Sequence, residues 1–175
     1  MFAIANKIES TKTFNKVLTY LGCFCFLILC ANSKLYLSFS PVPITMHTFA
    51  IAVIGCLFPF RVALTCFLAY FVEGLLGSPF FGVALNFGAS FGYFIGMIVS
   101  IFFLSKVANR IKMPLLLSLV CSSLIIWTFG VLHLQNILGL KKAIMVGIVP
   151  FILGDALKLS VAYGLIQYTL KKKTA

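Results

Sequence analysis

Apolar residues collect in six runs, at 17–32, 46–58, 62–76, 88–105, 114–134 and 147–170, separated by short basic, polar or proline-bearing breaks. This pattern leaves few folds open. Where a chain crosses a bilayer no water reaches the backbone, so every N–H and C=O must find its partner inside the protein, as it does in a helix. The balance of residue types agrees: 62% of the 175 residues are hydrophobic and 10% are charged, too few polar side chains to cover a water-soluble domain of this size. The sequence therefore predicts an all-α membrane protein, one six-helix domain over 17–170 with basic tails at 1–16 and 171–175. The first run begins only near Lys16, and no small-x-small cleavage pattern follows it. It is expected to stay as the first membrane helix rather than act as a removable signal peptide. The second run is short for a span and is broken at Pro59-Phe-Arg61.

A formal net charge of +11 would suit a nucleic acid, but the 14 basic residues form no basic face. They sit in small clusters between the apolar runs, where they orient a membrane protein. With six spans and the N-terminus inside, Lys7, Lys12, Lys16, Arg61, Lys106, Arg110, Lys112, Lys171, Lys172 and Lys173 fall on the inner side, ten residues in all. Lys34, Lys141 and Lys142 make three outside, and Lys158 lies within a helix. The count predicts both termini in the cytoplasm and a multi-pass protein of the cell (plasma) membrane. The breaks at 33–45 and 77–87 then lie outside. The first holds Pro41 and Pro43 and has Lys34 as its one charge; the second is uncharged. They are expected to form a lid over an outward-facing pocket. The six cysteines all fall in apolar runs and read as small packing residues rather than a disulfide or metal framework. Cys23 and Cys25 are two apart and so would not share a helix face.

The segment Pro150-Phe-Ile-Leu-Gly-Asp-Ala-Leu-Lys158 carries the sharpest chemical signal. The chain has only three acidic residues, and Asp155 stands inside an apolar run, with Lys158 at i+3 on nearly the same helix face. Ionised groups at membrane depth are costly and mark sites or ion pairs. A buried pair that only fixes helix register is the plainer reading. Thr45, His47, Asn86, Tyr93 and Glu73 are further polar candidates, and Thr45, His47 and Asn86 fall near the outer ends of their runs. Their plainer readings are caps or turn residues for Thr45 and Asn86, a satisfied rim histidine for His47, and a neutral packing carboxyl for Glu73. His133 reads as a rim residue. Small residues recur every four positions at Gly88, Gly92 and Gly96, and again at Ala156, Ser160 and Gly164. Four residues turn a helix by only about 40°, so the second stripe lies on a different face from Asp155 and Lys158. Both stripes are expected to pack tightly, and Ser160→Leu is expected to disturb folding more than ligand chemistry. There is no glycine-rich phosphate loop, no HExxH and no pair of acids at catalytic spacing, so no enzyme motif is legible and the chain does not hydrolyse ATP itself.

Three of these segments resemble one known family. Pro41-Val-Pro-Ile-Thr-Met-His-Thr48 is similar to the Pro-Val-Pro-Ile-Thr-x-Gln-Thr segment of the BioY family, the biotin-specific S components of energy-coupling factor (ECF) transporters. Pro150 to Lys158 resembles that family's Pro-Phe-x-x-Gly-Asp-x-x-Lys, and Gly88-Ala-Ser-Phe-Gly-Tyr93 its Gly-Pro-Thr-Gly-Gly-Tyr. Order and spacing match over roughly 17–170. His47 stands where the family usually has Gln, the glycine-rich stretch after the third run is reduced, and the first run lacks the Ala-xxx-Ala pattern by which such components often meet their coupling subunit; Gly22 and Ala31 are small but not at that spacing. The resemblance implies a six-helix S-component fold, biotin as substrate, no cofactor, and partnership with a transmembrane coupling subunit and two cytoplasmic ATPase subunits. It implies substrate-binding roles for Asp155, Lys158, Asn86, Thr45, His47 and Tyr93. Asp155 would accept from the ureido N–H groups and Asn86 would serve the remaining polar edge. Lys158 would either neutralise the carboxylate or hold Asp155 ionised. The departures leave room for a component specific to another small vitamin. A small membrane enzyme using Asp155 as base, and an adaptor without ligand, are the readings from other classes.

Overall fold

The computed structural model describes residues 13–36, 38–76 and 88–174. Helix α1 spans Thr13–Asn32; a two-residue antiparallel hairpin follows, β1 (Lys34–Leu35) with β2 (Ile44–Thr45). Then come α2 (His47–Leu57), α3 (Phe60–Leu75), α4 (Phe91–Phe102) continuing as a π-helical stretch Phe103–Ala108, α5 (Leu115–Leu138), α6 (Leu140–Gly147) and α7 (Val149–Thr174). The six apolar runs correspond to α1 to α5 and α7. Among the described residues four helical stretches are long and apolar enough to cross a membrane: Asn15–Asn32, Phe91–Ala108, Leu115–Leu138 and the α6–α7 stretch Leu140–Lys172.

Several boundaries differ from the sequence reading. Pro59 sits as the N-terminal flank of α3, so Arg61 is helical and the break after α2 is only Phe58 and Pro59. Proline fixes its own φ and lacks the N–H, which suits the start of a helix. The connection after the fifth run is not a plain loop but α6. Gly139 joins α5 to α6 at φ 78° and ψ 154°, a conformation open to glycine and strained for any side chain. The tails are helical at their inner ends, since α1 starts at Thr13 and α7 runs to Thr174. The 33–45 loop contains the β1–β2 hairpin, a local exception to an all-helical chain.

Helix α2 is the centre of the bundle. It has 11 residues, and Phe49 through Cys56 are all buried. A helix apolar all round is one enclosed by others, which accounts for a run too short to face lipid along a full span. Helices α4 and α5 make the most extensive pairing. A Cβ on Gly96 would lie 2.8 Å from the Ile126 Cα, and one on Gly92 would strike the Phe129 carbonyl. Ser100 and Ser122 hydrogen-bond across the same seam, both buried. Small residues let the backbones approach, and the hydroxyl pair ties them.

The second small-residue stripe does not pack in this way. Ala156, Ser160 and Gly164 point away from the bundle, and a Cβ on Gly164 would meet nothing within 4 Å. The inward face of α7 is instead Phe151, Asp155, Lys158, Leu159, Ala162 and Ile166. The expectation that Ser160→Leu would break helix packing is therefore corrected: four-residue spacing defines a face but not what that face meets. Cys23, Cys30, Cys56 and Cys66 are buried as free thiols, while Cys25 faces outward from Cys23's helix.

Candidate functional site

A cavity of about 310 Å³ opens at the bundle end that carries the α1–α2 connection, within the range of small-molecule sites. Its walls come from the β1–β2 hairpin, the start of α2, the last turns of α3, the start of α4, the middle of α5 and the first turns of α7. Thr45, His47, Tyr93, Asp155 and Lys158 all line it. Asn86 lies outside the described residues.

Asp155 is the pivot. It is 1% exposed, and its two oxygens take three donors. Oδ1 accepts from Lys158 Nζ at 2.9 Å and from Thr48 Oγ1 at 3.0 Å; Oδ2 accepts from the Trp127 indole N–H at 3.0 Å. Helix α7 supplies the carboxylate and the ammonium one turn apart, α2 supplies the hydroxyl and α5 the indole. A buried carboxylate is tolerable only with this kind of pairing. With one donor on it, Oδ2 retains acceptor capacity. Lys158 Nζ also donates to the Thr45 carbonyl at 2.7 Å. That bond ties α7 to the hairpin and spends the carbonyl on an ammonium.

His47 is held on both ring nitrogens. Nδ1 is 2.8 Å from Thr45 Oγ1 and Nε2 is 2.7 Å from the Tyr70 hydroxyl. It borders the cavity with both ring nitrogens already partnered by protein. Tyr93 donates its hydroxyl to the Gly147 carbonyl at 2.8 Å. Its ring fits against Gly130 and its hydroxyl against Gly147, where any Cβ would collide. The ring stacks on Phe151 with centroids 6.0 Å apart. Phe94 and Tyr70 form a second aromatic wall, with His47 edge-on to both. Such surfaces cover a flat apolar ligand while the hydroxyls stay satisfied. His133 is half-buried and holds the Gly88 carbonyl through Nε2 at 3.2 Å.

Thr48, Tyr70, Trp127 and Lys34 were not among the residues singled out from sequence. Trp127 is the chain's single tryptophan and stands in an apolar run. An indole N–H there needs an acceptor, and only two acidic residues fall in apolar runs, so its link to Asp155 had a signal. Thr48 had none beyond its place beside His47.

Fold and cavity together describe a small helical membrane protein with a ligand-sized chamber at one end. This is the build of an S component: a solved structure of the S-component for biotin from an ECF-type ABC transporter superposes with a TM-score of 0.79, at 20% identity, over 93% of this chain and 95% of that one. The chain belongs to the BioY family, whose model matches residues 6–174. Its relatives include a biotin transporter of Thermotoga maritima, 30% identical over 86% of this chain and 93% of the relative. A probable biotin transporter of Pyrococcus horikoshii is 30% identical over 75% and 82%, and one of Rickettsia prowazekii is 26% identical over 82% and 79%.

Proposed function

We propose that this chain is the biotin-binding, substrate-capture subunit of an ECF-type vitamin uptake transporter. The observation that carries the reading is a junction. Thr48 is joined to Asp155 and the Thr45 carbonyl to Lys158, about a hundred residues away, by hydrogen bonds on the wall of one cavity, and His47 is tied in through the Thr45 hydroxyl. Biotin has a ureido ring with N–H donors, an apolar bicyclic body and a carboxylate tail. The spare acceptor capacity of Asp155 Oδ2 suits a ureido N–H, and the Tyr93–Phe151 and Tyr70–Phe94 walls suit the bicycle. Asn86 serves the remaining ureido edge. The polar groups around the cavity are already paired with one another, so the site is rigid before ligand arrives and little ordering cost is left to binding.

The same reading has six spans with both termini in the cytoplasm of a plasma-membrane protein, on the ten-to-three division of basic residues. The cavity then opens outward, and the 33–45 connection closes over it; the 77–87 connection, expected to share in the lid, lies outside the described residues. The work of ATP hydrolysis falls to two partner ATPase subunits reached through a membrane coupling subunit, and this chain is a binding component rather than an enzyme. Binding of radiolabelled biotin to the detergent-purified protein tests the reading. Saturable binding that unlabelled biotin displaces supports it; a folded protein that binds none overturns it.

A further inference from the structure

Helix α6 stands between two helices that are each long enough to cross a membrane alone. At 1.5 Å per residue the 24 residues of α5 reach about 36 Å and the 26 of α7 about 39 Å, against a hydrocarbon core of about 30 Å. The chain between them therefore lies at the edge of that core, at headgroup level. There α6 is held in place. Ala143, Val146 and Gly147 are buried against the bundle, and the Val146 and Gly147 carbonyls accept from Ser40 and Tyr93. The other face is turned out: Leu140, Lys141, Lys142, Ile144 and Met145 are all exposed. With the end of α5, Leu140, Lys141, Lys142 and Met145 line an open recess of about 490 Å³. Its lining holds two lysines and no acid. Nothing in α6 offsets the pair, since the helix has no acidic residue and a cation in the first turn meets the positive end of the backbone dipole. Of the described carboxylates, Asp155 is bonded to Lys158 and Glu73 belongs to α3.

We propose that this recess binds the phosphate headgroup of an anionic phospholipid through Lys141 and Lys142. The apolar neighbours select a lipid over a soluble anion. On a helix lying at the interface, Leu140, Ile144 and Met145 enter the acyl region, while the lysine stems run along them and set their ammonium groups at phosphate level. Two ammonium groups with no carboxylate beside them favour a headgroup of net negative charge over a zwitterionic one, whose own cation they repel. The recess shares no lining residue with the biotin cavity, so the proposal does not depend on which ligand that cavity takes.

The test is native mass spectrometry of the full chain in detergent, titrated with dioleoylphosphatidylglycerol or with dioleoylphosphatidylcholine. The two lipids share their acyl chains and differ in headgroup charge. Wild type is compared with Lys141→Gln/Lys142→Gln and with Lys171→Gln/Lys172→Gln, a control at the far end of α7. The ratio of the first binding constants for the two lipids is taken within each protein, so it does not depend on the folded fraction. Wild type is expected to prefer the anionic lipid by about ten- to thirtyfold, the value of two lysines at a charged headgroup. The Lys141→Gln/Lys142→Gln protein is expected to lose most of that preference and the control to keep it. A preference that survives in Lys141→Gln/Lys142→Gln, or that falls equally in the control, overturns the proposal, because the lipid is then drawn by the overall charge of the chain. Equal binding of the two lipids by wild type also overturns it.

Discussion

Asp155 shows what a carboxylate needs inside an apolar bundle: an ammonium, a hydroxyl and an indole N–H, from three helices. Each donor can be removed separately. Trp127→Phe deletes one hydrogen bond to a charged group and is expected to cost about 1.5–3 kcal/mol of stability, read as an earlier thermal melt in detergent. Lys158→Ala leaves a buried charge with two neutral donors and is expected to cost about 3–5 kcal/mol. Asp155→Asn keeps the shape, but if the amide oxygen stays with Lys158 and Thr48, its NH2 faces the Trp127 N–H, donor against donor. That variant is expected to melt early and, in its folded fraction, to bind biotin about ten- to a hundredfold more weakly. Should Asp155→Asn and Lys158→Ala both melt early yet bind biotin unchanged, the pair is structural and the ligand sits elsewhere.

At the scale of elements, the two small-residue stripes separate cleanly. Gly96 abuts the backbone of Ile126, and a backbone atom cannot step aside, so Gly96→Leu is expected to disrupt the α4–α5 seam by at least about 1–3 kcal/mol. Ser160 faces outward and its hydroxyl returns to the Ala156 carbonyl of its own helix. Ser160→Leu is expected to leave the melting temperature of the isolated protein within the small range of surface changes, about 0.5 kcal/mol. A Ser160→Leu protein that fails to fold would put that face back inside a packed interface. The hairpin loop is anchored by the Lys158 bond to the Thr45 carbonyl and by the Ser40 hydroxyl, which donates to the Val146 carbonyl at the end of α6 at 2.9 Å. If it closes over ligand, cysteines introduced in 33–45 and in 77–87 will react more slowly with a polar thiol reagent when biotin is present. Equal rates with and without biotin would rule out the lid.

For the whole molecule the governing quantity is orientation. Ten basic residues against three, at roughly 2.5–3.5 kcal/mol to carry each across the bilayer centre, predict that both termini are in the cytoplasm. Reporter fusions at each terminus check this, and an external signal from either one contradicts it. The orientation also decides whether the cavity faces incoming substrate, so a reversed topology would leave the capture reading without an entrance.

What the sequence determined by itself was whatever depends on transfer energy and local rotation: helical runs in a membrane, and Asp155 with Lys158 marked as a candidate site or ion pair because ions three residues apart in an apolar run are costly without a partner. It also determined that His47 and Thr45 follow a proline-shaped turn. The tertiary structure alone decided the partners. Nothing local to Thr48 directs it to Asp155, 107 residues away, and for Trp127, 28 residues away, the sequence says that its indole N–H needs an acceptor but not which of the two acidic residues in apolar runs supplies it. Nor does anything local to His47 say that both of its nitrogens are taken by Thr45 and Tyr70. The same division explains the stripes and the shortness of α2. Residue spacing sets which side chains share a face, whereas whether that face meets a helix or the bundle's exterior depends on how all the other helices have packed.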